Sequence, residues 1–178
     1  MTVYIVLFRG VGGATQLPVK PLREKLTEAG LENVVTYINS GNAVVRSRLS
    51  RDKVVALIAD ICAREFGFEK AIYAPTAGEW DALISNNPFP KAVSDPKSVH
   101  AAWLSGAPDL ANIEAVRSFA VEGEHFEVIG NVAYLHTPHG FGRSKMAEMF
   151  DKRIGVPNTA RNWRTVLALQ DLAAKAAG

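Results

Sequence analysis

The chain has 178 residues, 48% of them hydrophobic, enough to close one compact core or two small linked ones, which excludes disordered, fibrous and collagen-like classes. Twenty Lys and Arg against 18 Asp and Glu leave a formal net charge of +2, so no global field favours nucleic acid, a membrane surface or acidic ligands, and any basic site must be local. With Cys62 alone there is no intrachain disulfide and no Cys-based metal site, and the early apolar run at residues 3–8 lacks a basic leader and is too short to span a bilayer; the expectation is a cytoplasmic protein without membrane attachment.

Residues 3–8, rich in β-branched and aromatic side chains, predict a central strand running into a loop over residues 9–17. A helix fits residues 18–29, with Leu22 and Leu26 four apart and Gly30 at its stop. Strand-like runs at 33–38 and 43–46 flank Asn39-Ser40-Gly41-Asn42, a cluster of turn formers, and predict a hairpin. Val54, Leu57, Ile58, Ile61 and Cys62 recur at helical spacing before Gly67, and Ala71-Ile72-Tyr73 adds a short strand, so the first half reads βαββαβ. Residues 76–84 read as an extra helix, and residues 86–96 as a proline-punctuated connection. A strand at 99–104, a helix at 109–117, a hairpin of 126–129 with 132–136 and a helix at 144–153 follow. Ile129-Gly130-Asn131-Val132-Ala133-Tyr134 echoes Ser40-Gly41-Asn42-Ala43-Val44-Val45, as if Gly-Asn stood at one point of two diverged copies. A final helix over 159–177 stands where the second copy should have its last strand. The fold class is therefore α+β: two diverged ferredoxin-like βαββαβ units, residues 1–90 and 97–178, with a C-terminal helix replacing the last strand.

Gly10-Val11-Gly12-Gly13 lacks the third glycine of a dinucleotide fingerprint, because position 15 is Thr15, and reads as backbone freedom with room for an anion nest. Gly140-Phe141-Gly142-Arg143-Ser144-Lys145 lacks P-loop spacing, and Ser144 is placed to cap a helix. Neither G-x-S-x-G nor H-E-x-x-H occurs, and His136 and His139 have no acidic cluster at ligand spacing, so no metal, cofactor or serine nucleophile is expected. Cys62, Trp80 and Trp103 read as core. In the last segment Thr159 is placed as the N-cap, Asn162 as a partner bonding back to it, and Arg161 as a first-turn cation at the positive end of the helix dipole, an arrangement that Lys145 repeats. From Arg143 to Arg164 the basic residues Arg143, Lys145, Lys152, Arg153, Arg161 and Arg164 face two acids, Glu148 and Asp151, a local excess of +4. That excess points to a phosphate or carboxylate at the starts of the last two helices. Trp163 beside Arg161 and Arg164 adds single-stranded RNA as a variant, through base stacking.

Residues 4–13 (YIVLFRGVGG), 36–43 (TYINSGNA), 87–90 (NPFP), 140–145 (GFGRSK) and 156–166 (VPNTARNWRTV) together resemble the pattern of the domain of unknown function 1697 family. The resemblance implies a duplicated ferredoxin-like α+β domain and no assigned activity. It carries onto Arg9, Gly10, Gly12 and Gly13, onto Ser40, Gly41 and Asn42, onto Ser144 and Lys145, and onto Thr159, Arg161, Asn162 and Trp163. Where the family's first loop usually reads R-G-I-N-V-G-G-K-N-K, this chain has Arg9-Gly10-Val11-Gly12-Gly13-Ala14-Thr15-Gln16, two residues shorter and without its Asn and Lys.

These observations lead to one leading expectation: a protein that binds a phosphorylated or otherwise anionic small ligand, nucleotide-like in character, through Arg9, Ser40, Asn42, Ser144, Lys145, Arg161 and Asn162. Two alternatives stand beside it. One is a protein-interaction or assembly domain whose motifs are caps and turns. The other is an enzyme acting on a nucleotide or phosphate ester, with His136 and His139 as its acid or base. The sequence leaves the ligand's identity and the oligomeric state open.

Overall fold

A computed structural model describes residues 1–12, 15–38 and 41–178. The chain divides into two compact units, Met1–Ala82 with Ala168–Gly178, and Leu83–Leu167. In the first unit β1 (Thr2–Phe8), α1 (Val19–Glu28), β2 (Glu32–Tyr37), β3 (Asn42–Ser47), α2 (Arg51–Phe66) and β4 (Ile72–Tyr73) complete a βαββαβ set. Its sheet has the order β2-β3-β1-β4, and β1 pairs antiparallel with both β3 and β4. The 3.6-residue stripe of the helices explains the core. Leu22 and Leu26 of α1 and Val54, Ile58, Ile61 and Cys62 of α2 cluster with Tyr4, Val6, Phe8, Ala43 and Val45, the alternate residues of one sheet face.

Gly67 ends α2 in the left-handed region at φ +63, which frees the Phe68 amide to donate to the Cys62 carbonyl at 3.1 Å. Gly41, at φ +79, solves a different problem. The Phe8 amide donates to its carbonyl at 2.9 Å, and a Cβ there would stand 2.8 Å from Val11 Cγ2 and 3.0 Å from the Phe8 carbonyl oxygen. The turn therefore needs glycine for both its dihedral and its closeness. α3 (Ala77–Ser85) opens with reciprocal bonds: the Thr76 amide donates to Glu79 Oε2 and the Glu79 amide to Thr76 Oγ1.

The second unit repeats the plan with β5 (Val99–Leu104), α4 (Leu110–Arg117), β6 (His125–Ile129), β7 (Val132–His136), α5 (Lys145–Arg153) and β8 (Asn158–Asn162). Its sheet order, β6-β7-β5-β8, is the same. Ala102, Leu104, Phe126, Ala133 and Leu135 face Ile113 and Val116 of α4 and Met146, Ala147 and Phe150 of α5. The α+β class and the ferredoxin-like repeat stand as the sequence predicts, with one correction. The last strand is not replaced by a helix: β8 is present, pairing with β5 from His100↔Asn162 to Leu104↔Asn158, and α6 (Trp163–Ala177) follows it. The apolar stripe of α6 is real, but residues 158–162 fill a sheet edge instead of extending the helix.

The echo between the two hairpins is also shifted. The amide ending the first strand donates to Gly41 in one unit and, from Leu104, to Asn131 in the other, so the two Gly-Asn pairs are one residue out of step. Among the described residues no helix is long and apolar enough to cross a membrane.

Candidate functional site

In the first unit, Arg9 directly follows β1, its amide donating to the Ala71 carbonyl at 3.0 Å, and Asn42 begins β3 opposite Leu7. Asn42 is 2% exposed, with Nδ2 3.4 Å from the Tyr37 carbonyl. The cavity beside it, walled by Leu17, Leu22, Thr36, Gly41 and Asn42, holds about 10 Å³, room for one water at most. Ser40, with Gly13 of the first loop, lies outside the described residues.

In the second unit, Ser144 caps α5 as expected, its hydroxyl accepting from the Ala147 amide at 3.1 Å. Lys145 is matched three residues on by Glu148 at 3.4 Å, which Lys152 also reaches at 3.5 Å. Hydrogen bonds and charge from Lys145, then from Lys152, hold the Glu148 carboxyl below its usual range. The helix start at Thr159 needs correcting. Thr159 and Arg161 lie within β8, and Asn162 is itself the cap of α6, accepting the Thr165 amide on Oδ1 at 3.0 Å. Arg161 is thus not a first-turn cation. Its guanidinium donates to Thr159 Oγ1 at 2.6 Å and to the Ala160 carbonyl at 2.8 Å, and burial draws it down to about 10, still charged at neutral pH.

Strand alternation separates the pair further. Ala160 packs on the helix-covered face, so Thr159 and Arg161 point to the other face, while Asn162 stands beside His100 on the helix side. His100 stacks on Phe141 with centroids 3.9 Å apart, which brings the turn leading into Ser144 and the cap of α6 to the same imidazole. Trp163 is 3% exposed and offers no open face for a base. Cys62, Trp80 and Trp103 are buried as read, and burial pushes the Cys62 thiol up to about 12.

The same unit has a larger feature on the face of β7 away from α4 and α5. An open hollow of about 460 Å³ is walled by Pro88, Phe89, Pro90, Lys91, Ala92 and His136. That volume suits a small organic molecule. Its wall is shaped locally: Asn87 Oδ1 accepts the Phe89 amide at 2.9 Å, and the prolines on both sides restrict the backbone. Phe89 is thereby set against His125 and His136, with ring centroids at 6.0 and 5.8 Å. The two imidazoles lie 5.9 Å apart and nearly parallel. Burial first, then the neighbouring His125, lower the proton affinity of His136, with Asp95 pulling the other way. No three His, Cys, Asp or Glu side chains among the described residues form a group able to hold a metal ion.

A family model described as "Protein of unknown function (DUF1697)" matches residues 1–134. The chain belongs to that family. The match ends at Tyr134, before the GFGRSK and TARNW segments, so it bears on the first unit and on the loop that carries Phe89. Among solved structures, the conserved bacterial protein SP0830 from Streptococcus pneumoniae is similar over 97% of this chain and 98% of its own, at 23% identity and a TM-score of 0.73. That likeness establishes the shared fold. A comparison with curated proteins gives no match.

Within this DUF1697 chain, several motif residues have structural work: Gly41 closes the first hairpin, and Ser144 and Asn162 cap helices. Phe89, Lys91, His100 and His125 are absent from the set read from sequence. For His125 a signal exists. Counting outward from Gly130-Asn131, with Ile129 opposite Val132, places His125 opposite His136. A strand begun at residue 126 stops one position short of that pair.

Proposed function

We propose that this protein binds a small anionic ligand bearing a planar ring in the hollow of the second unit, with Phe89 stacking on the ring and Lys91 pairing with the anion. The ligand class is the nucleotide-like one expected from the sequence; the position differs. Both helix starts satisfy capping amides from within, through Ser144 and Asn162, and Lys145 already has an acidic neighbour. The hollow, in contrast, sets an aromatic ring and a lysine in one wall of about the volume a mononucleotide requires. That combination carries the proposal.

Calorimetric titration with 5′-AMP, adenosine and inorganic phosphate tests it. AMP is expected to bind more tightly than either fragment, and Phe89→Ala and Lys91→Ala are each expected to weaken it about tenfold, a typical loss for one stacked base or one ion pair in a half-open site. AMP bound equally by wild type and both variants overturns the assignment, as does loss of binding in Arg161→Ala while both hollow variants bind normally.

A further inference from the structure

Register places His125 of β6 directly opposite His136 of β7, and their rings stack beside Phe89 at the hollow. His136 lines the hollow and His125 is exposed beside it. A positive charge on His125 repels one on His136 at this spacing and so disfavours the protonated form of His136. The surrounding charges are few. Asp95 favours a proton on His136, and Lys91 stands in the same wall of the hollow. Tyr134, two residues back along β7, is neutral, with its hydroxyl donating to the Leu83 carbonyl at 2.6 Å. Glu127, two residues along β6 from His125, is engaged by Arg117 at 3.3 Å. The Glu124 carboxylate accepts the Val121 amide at 3.2 Å, and His139 stands beside Gly123 in the turn after β7.

We infer that an anion entering this hollow is bound together with one proton, taken up by His136, which stacks on His125 and lines the hollow. The inference rests on the hollow being the ligand site. An anion beside the pair offsets the burial and mutual repulsion that disfavour the charged imidazole, so the protonated form is stabilised by the ligand and, reciprocally, the ligand by the proton. Protonation also gives the wall a second positive charge next to Lys91.

Benzenesulfonate is the probe, since its charge does not change between pH 5 and 8 and any proton exchanged belongs to the protein. Calorimetry at pH 5.5, 6.5 and 7.5, in buffers of different ionisation enthalpy, is expected to show affinity rising about tenfold toward pH 5.5, with uptake approaching one proton per ligand. His136→Gln is expected to abolish the uptake and flatten the profile. His125→Gln, at an exposed position, removes the repelling neighbour and is expected to move the steep part of the profile to higher pH, a displacement that a packing role alone would not cause. Sulfonate bound equally at pH 5.5 and 7.5 with no proton exchange overturns the inference and leaves the hollow as a ligand site. Sulfonate unbound at every pH, or bound unchanged by Phe89→Ala, removes the hollow reading itself.

Discussion

His100 has a buried Nδ1 with no hydrogen-bond partner, and its ring is stacked at 23° on Phe141. Burial draws its proton affinity down to about 4, because a charged imidazole in that position would lose hydration and gain no acceptor in exchange. The unfolded chain takes up this proton near pH 6.5, the folded chain only near 4, so between those values the unfolded state binds more protons. Stability from this group is complete above pH 6.5, falls as pH drops through the window and levels off below it. The full span is on the order of 3 kcal/mol. Replacing the imidazole by a ring that keeps the stack and carries no proton isolates the effect. Urea unfolding at pH 7, 5.5 and 4.5 is expected to show His100→Phe losing less stability than wild type on the acid side. Parallel loss in both proteins would assign the acid sensitivity to other groups.

At the scale of elements, one residue determines where β8 stops and α6 begins. Asn162 ends the strand in register with His100 and accepts the Thr165 amide, so the chain turns from sheet edge to helix at its side chain. Asn162→Ala is expected to lower stability by about 1 kcal/mol in chemical denaturation, and Asn162→Asp to retain most of it, as at other N-caps. Equal losses in the two variants would show that the amide matters for something other than capping. The stripe Val166, Leu169, Ala173 and Ala176 is legible as a helix from sequence alone, and all four are buried. Its start is not. An edge strand paired on one side needs only a small residue toward the helices, here Ala160, and the other positions of Asn158–Asn162 are free to be polar. Such a segment carries no period-2 signal and reads as a continuation of the helix behind it. This shift of four residues also reassigns Arg161, which a helix would set about 100° around its axis from Asn162 and a strand sends to the opposite face. By contrast, β1, β3, β5 and β7 are central strands, and their cores of consecutive apolar residues, 3–8, 43–45, 101–104 and 132–135, are legible directly. The hollow is legible only in part: Asn87-Pro88-Phe89-Pro90 is conspicuous as a rigid loop, yet its place over β7 depends on chain reversal that no local periodicity encodes.

At the scale of the molecule, the first unit is not contiguous: it comprises Met1–Ala82 together with Ala168–Gly178. Its strands and the end of α6 are joined at Asn33, whose Nδ2 donates to the Ala176 carbonyl at 2.8 Å across 143 positions of sequence. Asn33 sits in β2 at φ +50, where the pairing with β3 shifts register between Glu32 and Val35. A bulge of this kind turns one side chain out of the regular alternation, and asparagine tolerates the left-handed backbone better than other side chains except glycine. Two roles therefore coincide in one residue, and two substitutions separate them. Asn33→Gly keeps the backbone conformation and loses the bond; Asn33→Ala loses both, with about 1 kcal/mol more destabilisation from the strained dihedral. Hydrogen exchange reports each role in a different place. Both variants are expected to speed exchange in the last turn of α6, because the tether to Ala176 is gone in each, while only Asn33→Ala speeds exchange along β2. If α6 exchanges at the wild-type rate in both, the end of the helix is held by its buried Leu169, Ala173 and Ala176 alone, and the Asn33 amide serves only the bulge.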